Sequence, residues 1–250
     1  MGLFLTPFWV AFHDGTFDLF DLGAPASSAL EVLAEDGDTG PLSGQFAASP
    51  SAAAGGLDAT VLAPAGFPVA PVCDPGERAT VTLNLDPVAN RYFSYASMVI
   101  PSNDAFIANE DSLAHPLFDD FGNVIGSSSF VILGGDVLDA GTEDNTEMQA
   151  AFINQTGPNM GPTTVGGVVV SPHPGFIGSL GNPGGAPTIL GGTTAAGTLI
   201  DPNLGDFTRP GFQVAFITTV PTPTAFGGAG LCLVSLLLCH LLRTRLNRRV

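Results

Sequence analysis

The sequence predicts an all-β protein: an antiparallel β-sandwich with short helices and long Gly- and Pro-rich loops, followed by one C-terminal transmembrane helix. Three observations lead there. Glycine (32) and proline (21) make about a fifth of the 250 residues without any periodicity, which is a composition of short strands and many turns. Several runs are rich in β-branched and aromatic residues and are bounded by Gly, Pro, Asn or Asp. Close to the C-terminus, residues 225–242 carry no formal charge over eighteen positions.

Taken in order, residues 5–12 (L-T-P-F-W-V-A-F) read as a first strand. They do not read as a signal sequence, because no basic segment precedes them and no small-residue cleavage site follows before His13-Asp14. An exported body needs a signal, so the natural start is expected upstream. Ser27 or Ser28 is placed to cap a short helix, A-L-E-V-L-A-E, that ends before Gly37. Residues 47–56 read as loop. Strands are expected at 79–85, where T-V-T-L-N-L alternates, at 91–100 and at 130–138. Thr146 opens a second candidate helix, E-M-Q-A-A-F-I-N, before Gly157. Further strands are expected at 167–170 and 213–220, on either side of a Gly-rich surface loop at 178–197. With no repeat and no second core, the organisation is one sandwich over 1–219, a proline-containing linker at 220–224, the membrane helix at 225–242 and a basic tail at 243–250.

Charge narrows the function. All 23 acids precede residue 243, against three arginines there (Arg78, Arg91, Arg209), so residues 1–242 carry a formal charge of −20. Such a body repels nucleic acid and anionic lipid and attracts divalent cations. The other four arginines lie in the tail R-T-R-L-N-R-R-V, and the positive-inside rule then puts the C-terminus in the cytoplasm and the body outside. The chain has no lysine, which excludes a Walker-A phosphate site and Schiff-base chemistry.

Few residues suggest catalysis. Cys73 is the one cysteine of the body, and Cys232 and Cys239 lie in the apolar segment, so a structural zinc site is not expected. No G-x-S-x-G, H-E-x-x-H or S-x-x-K occurs. A secreted hydrolase using His13 or His173 with a nearby acid is the alternative reading. His240, near the cytoplasmic end of the apolar segment, is given no role. Acids gather instead in turn-like runs, at 13–18, 35–38, 101–104 and 136–143. Loops of that kind can supply the six to eight oxygens that calcium takes, and they can equally be solvated turns. Asp36 and Asp38 are candidates for a second calcium site.

Residues 5–38, ending L-A-E-D-G-D, resemble the start of bacterial spondin-domain proteins, a family related to the F-spondin domain. A-S-M-V-I-P-S-N-D-A-F-I (96–107) is similar to that family's strand and P-S-x-D loop, and V-L-D-A-G-T-E (137–143) to its D-A-G-T-[DE] element. A-F-I-N-Q-T-G-P-N and H-P-G-F also fit. The resemblance covers roughly 5–220 and implies a non-enzymatic β-sandwich that binds calcium at one end. Its metal ligands map onto Asp104, Asp139 and Glu143, where Glu143 is one methylene longer than Asp. The cysteines of animal members are absent. Residues 220–250 resemble a PEP-CTERM sorting signal with Thr222 in place of the middle Glu, which implies an exosortase-like processing protease. The expected protein is therefore secreted or displayed on a bacterial cell surface, adhesive, and bound to matrix protein or, through calcium, to anionic polysaccharide. A purely structural sandwich without metal is the third reading.

Overall fold

A computed structural model describes residues 3–63, 72–147, 150–151, 163–164, 169–176, 189–193, 199–200, 207–223 and 230–238, the side chains only as far as residue 220. Two antiparallel sheets dominate, with few short helices, an arrangement consistent with a β-sandwich. The larger sheet runs β3 (Leu57–Val61), β2 (Phe8–His13), β5 (Tyr92–Ile100), β6 (Ala105–Ala108), β8 (Leu138–Asp139), β9 (Ser171–Pro172). The short β1 (Phe4–Leu5) pairs with the far end of β5. Pro7, which has no N–H, separates β1 from β2. Thr6 seals this break: its Oγ1 accepts from Met98 N at 3.1 Å and its carbonyl accepts from Ser97 Oγ at 2.9 Å. The smaller sheet runs β4 (Arg78–Leu85), β11 (Gly230–Leu238), β10 (Gln213–Pro223), β7 (Ser128–Leu133).

Period-2 alternation explains how the layers stack. In β2, Phe8, Val10 and Phe12 enter a core shared with Ala79, Leu85, Ile132, Val214 and Ile217 of the smaller sheet. Trp9 and Ala11 point the other way, into a second core with Leu30, Leu33, Ala34, Leu42 and Phe46. The second core belongs to helices α1 (Ser28–Asp36) and α2 (Gly40–Ala47), which cover the outer face of the large sheet. Burial on both faces is why β2 and β5 read as nearly continuous apolar runs.

The predicted stop signals of α1 are both used. Ser27 Oγ accepts from Leu30 N, and Gly37 takes φ 70°, the left-handed conformation that closes a helix. A Cβ at Gly37 would also run into the Thr6 side chain, so this glycine sets how closely α1 approaches the β1–β2 corner.

Several expectations are corrected. Residues 47–56 are partly helical: Ser49 caps α3 (Pro50–Ala53) with Pro50 at its start. The helix α2 and strands β3 and β6 add to the predicted elements. Residues 130–138 do not form one strand. Gly134–Asp136 make a 3-10 turn, pinned by Asp136 Oδ2 accepting from Leu133 N, so β7 and β8 lie in different sheets. Val169 and Val170 lie outside any strand, and Val170 instead pairs its backbone with Gly23 and Ala24. Thr146, Glu147, Ala150 and Ala151 are not helical, and the rest of that predicted helix lies outside the described residues. Most of the 178–197 loop lies outside them too.

The largest correction concerns 225–242. Gly230–Leu238 is a strand, hydrogen-bonded on one side to β10 and on the other to β4. Among the described residues no helix is long and apolar enough to cross a membrane. A central strand and half of a membrane helix share one signature, an uninterrupted apolar run, and over 230–238 the fold uses it as a strand. The remainder of the segment, with Cys239 and His240, and the arginine tail lie outside the described residues.

Candidate functional site

The turn after β5 starts the site. Ser102 Oγ donates to Val99 O at 2.6 Å and accepts from Ala105 N at 3.0 Å, which closes residues 101–104 into a tight corner before β6. That corner holds Asp104, fully buried, beside β8, where Asp139 pairs with Ala105. The following turn folds over Asp104: Thr142 N (2.7 Å) and Glu143 N (3.0 Å) both donate to its Oδ2, and Ala140 N donates to its carbonyl. Asp139 Oδ1 accepts from Gly141 N at 2.6 Å and its Oδ2 from Asn145 Nδ2. The separated P-S-N-D and D-A-G-T-E segments are thus one structure.

Electrostatics at this point is unfavourable. The Asp104 and Asp139 carboxyls lie within hydrogen-bonding reach of each other. Yet Asp104 Oδ1 has no donor. Burial, and then the charge of Asp139, push the Asp104 carboxyl up to about 7, and burial raises Asp139 as well. Two buried carboxylates so placed need a shared proton or a cation between them.

Glu143 is buried at the same place, but its Oε2 is engaged by Asn103 Nδ2 at 3.3 Å. The structure therefore brings Asp104 and Asp139 together and holds Glu143 beside them. Among the described residues no three acidic, imidazole or thiol groups form a ready-made cation cage. A polar cleft of about 270 Å³ opens on this edge, bordered by Asp139, Glu143, Asn145, Thr164 and Ser171.

The acidic run at 35–38 contributes a residue the sequence did not single out. Asp38 Oδ1 is exposed and accepts from Gly40 N, a solvated turn cap. Glu35 is the acid that turns inward: it is 1% exposed, and its Oε2 has no hydrogen-bond partner. Burial pushes it up to about 7; a hydrogen bond with Thr142 opposes this and the charge of Glu143 adds to it.

Each of the two candidate histidines accepts a backbone N–H at Nδ1. His13 Nδ1 accepts from Gly15 N at 3.1 Å, so the neutral ring carries its proton on Nε2, 2.9 Å from Ser94 Oγ. It therefore donates to Ser94 and presents no basic nitrogen to it. Asp14 binds Thr16 and Ser51 instead of the imidazole. His173 Nδ1 likewise accepts from Gly175 N, and its ring packs on Phe207.

Burial depresses His13 to about 4, against a weaker opposing pull from Asp14. Because the folded value lies below the unfolded 6.5, the unfolded chain takes up this proton first. The stabilisation is complete above pH 6.5 and is lost as pH falls towards about 4, a difference of about 3 kcal/mol. Asp104 and Glu35, raised to about 7 by burial, titrate with the opposite sign in the same window, so the loss is read as a difference: the melting of His13→Gln should gain on that of wild type as pH falls from 6.5 towards 4.

No protein-family model matches this chain, and no curated protein matches it.

Proposed function

We propose that this chain is a non-enzymatic, calcium-binding domain of the spondin type, secreted or displayed at a bacterial cell surface and associated with matrix or exopolysaccharide. The observation that carries the reading is the donor-less approach of Asp104 to Asp139 in a buried corner. A hard cation with oxygen ligands resolves that contact, and Glu143 and the Asn145 amide lie beside it. Those are the acids to which the family resemblance assigns the metal, with the P-S-N-D turn and the D-A-G-T-E turn folded onto each other.

The cleft next to Asp139 supports a bridging role. It leaves room for oxygens from another molecule next to the acids. A body carrying −20 would otherwise repel a polyanion. Retention of the full chain on immobilised polyuronate is therefore expected with millimolar calcium and lost with chelator. Retention unchanged by chelator, or none in either buffer, overturns the bridging role. Export and sorting are supported by the charge asymmetry and the arginine tail, and membrane insertion of 225–242 requires a state in which β11 has left its sheet.

A further inference from the structure

The turn that follows β2 is closed by an imidazole. His13 is fully buried at the end of the strand; its Nδ1 accepts from Gly15 N at 3.1 Å and its Nε2 proton goes to Ser94 Oγ at 2.9 Å. Gly15 has φ 97° and sits against Leu113 and Tyr92, where a Cβ would clash. His173 makes the same bond to Gly175, again a glycine at positive φ. In both turns the ring nitrogen does what an Asx carbonyl does elsewhere.

Asp14 fastens this turn to α3. Its Oδ1 accepts from Thr16 N (3.0 Å), Thr16 Oγ1 (2.7 Å) and Ser51 Oγ (2.6 Å), and Ser51 is fully buried. An imidazolium cannot keep this arrangement. With a proton on Nδ1 it would face the Gly15 N–H donor to donor, and the charged acceptor at hand is Asp14. Burial pushes Asp14 up, but its bonds to Ser51 and Thr16 outweigh this and hold it below its ordinary value, so it is ionised when His13 takes up a proton. The other elements packed here oppose the switch little. From β5, Tyr92 stacks on the imidazole at 6.3 Å, with the Arg91 guanidinium over the Tyr92 ring. From the next loop, Asn109 donates to Ser94 while Asp111 turns its carboxylate to Leu113 N. Helix α3 brings no charge.

We propose that His13 is an acid-released latch: protonation at Nδ1 expels the Gly15 amide and draws the Asp14 carboxylate off Ser51, so the 13–16 turn and α3 open together while the sheets stay folded. The latch stands at the opposite end of β5 from the 101–104 corner, and it holds or fails independently of the calcium reading. Burial keeps the imidazole at about 4 in the closed turn against an ordinary 6.5. Opening restores the ordinary value, so the opening equilibrium rises on the order of a hundredfold from pH 7 to pH 4.

The test is hydrogen exchange, read by mass spectrometry on the full chain from pH 7 to pH 4, in wild type and His13→Asn. The asparagine Oδ1 can take the Gly15 N–H as in an Asx turn and does not titrate. Comparison at equal pH cancels the intrinsic change of exchange rate. Relative to the variant, wild type is expected to lose protection on the order of a hundredfold at 15–16 and 50–56, and none within β5. Equal protection in both proteins across the range overturns the latch. A loss shared by β5 overturns it too, because His13 would then act on global stability alone. Should the Asn variant not fold, wild type decides: opening confined to the two segments and following the His13 imidazole titration by NMR supports the latch, and any other pattern refutes it.

Discussion

Calcium at a hundredfold excess over its dissociation constant is expected to stabilise the protein by about 2.7 kcal/mol, and Asp104→Asn is expected to abolish that gain. For a body of this size the wild-type midpoint should rise by roughly 5–10 °C. In chelator the ordering reverses. An asparagine can keep its oxygen on the Thr142 and Glu143 amides while its NH₂ faces Asp139, which supplies the donor that the native pair lacks. The metal-free variant should therefore melt at or above the metal-free wild type. A purely structural role for Asp104 predicts the opposite, lower stability in both buffers, because two amide donors would lose a charged acceptor. The crossing of the two curves is thus the diagnostic result. A wild type whose melting ignores calcium, or an Asp104→Asn variant that keeps the shift, would sink the calcium reading.

Much of this corner is legible in the sequence, and the reason is local. Pro101-Ser102-Asn103-Asp104 and Asp139-Ala140-Gly141-Thr142-Glu143 are each short turns whose own side chains and amides shape them, so a local pattern carries the structure. The same holds for α1, whose Ser27 and Gly37 caps are read directly from residue type. Strand β5 is observed at Tyr92–Ile100 against an expected 91–100, because its flanks, Asn90-Arg91 and Pro101, break any longer pattern.

What escapes the sequence depends on partners far along the chain. In Glu35-Asp36-Gly37-Asp38 three acids look alike, and only the packing of α1 against β5 and β6 decides that Glu35 is the buried one. The break at Gly134 is invisible for a similar reason. The stretch from Phe130 to Leu138 is apolar throughout apart from Gly134, Gly135 and Asp136. A Cβ at Gly134 would collide with the Phe207 carbonyl, a contact made more than seventy residues away in sequence. His13 looked like a possible base because it precedes an acid, yet Gly15 N and Ser94 determine its tautomer.

The second large effect concerns the C-terminal strand. Ending the chain after Pro223 is expected to destabilise it by more than about 4 kcal/mol, beyond the range of ordinary point substitutions. Among the described residues strand β4 has β11 as its one neighbour in the sheet, with every position from Arg78 to Leu85 paired to it, and β10 is paired to β11 from Ala215 to Pro223. Removing β11 would free the ladder groups of β4 and open one edge of β10, and it would detach from the sheet the strand that carries Ala79 and Leu85 into the core. A truncated chain that instead melts like the full one would show that the apolar segment is not needed by the sheet and is available to a membrane. Position can be tested separately from stability. Leu83 and Cys232 are directly opposed across β4 and β11, and opposed residues on one face of an antiparallel pair lie within disulfide range. Leu83→Cys in a Cys239→Ser background should oxidise to an 83–232 cross-link, identified by peptide mapping. If Cys232 stays reduced and instead becomes protected only on addition of lipid, the segment resides in the bilayer, and the small sheet must close without it.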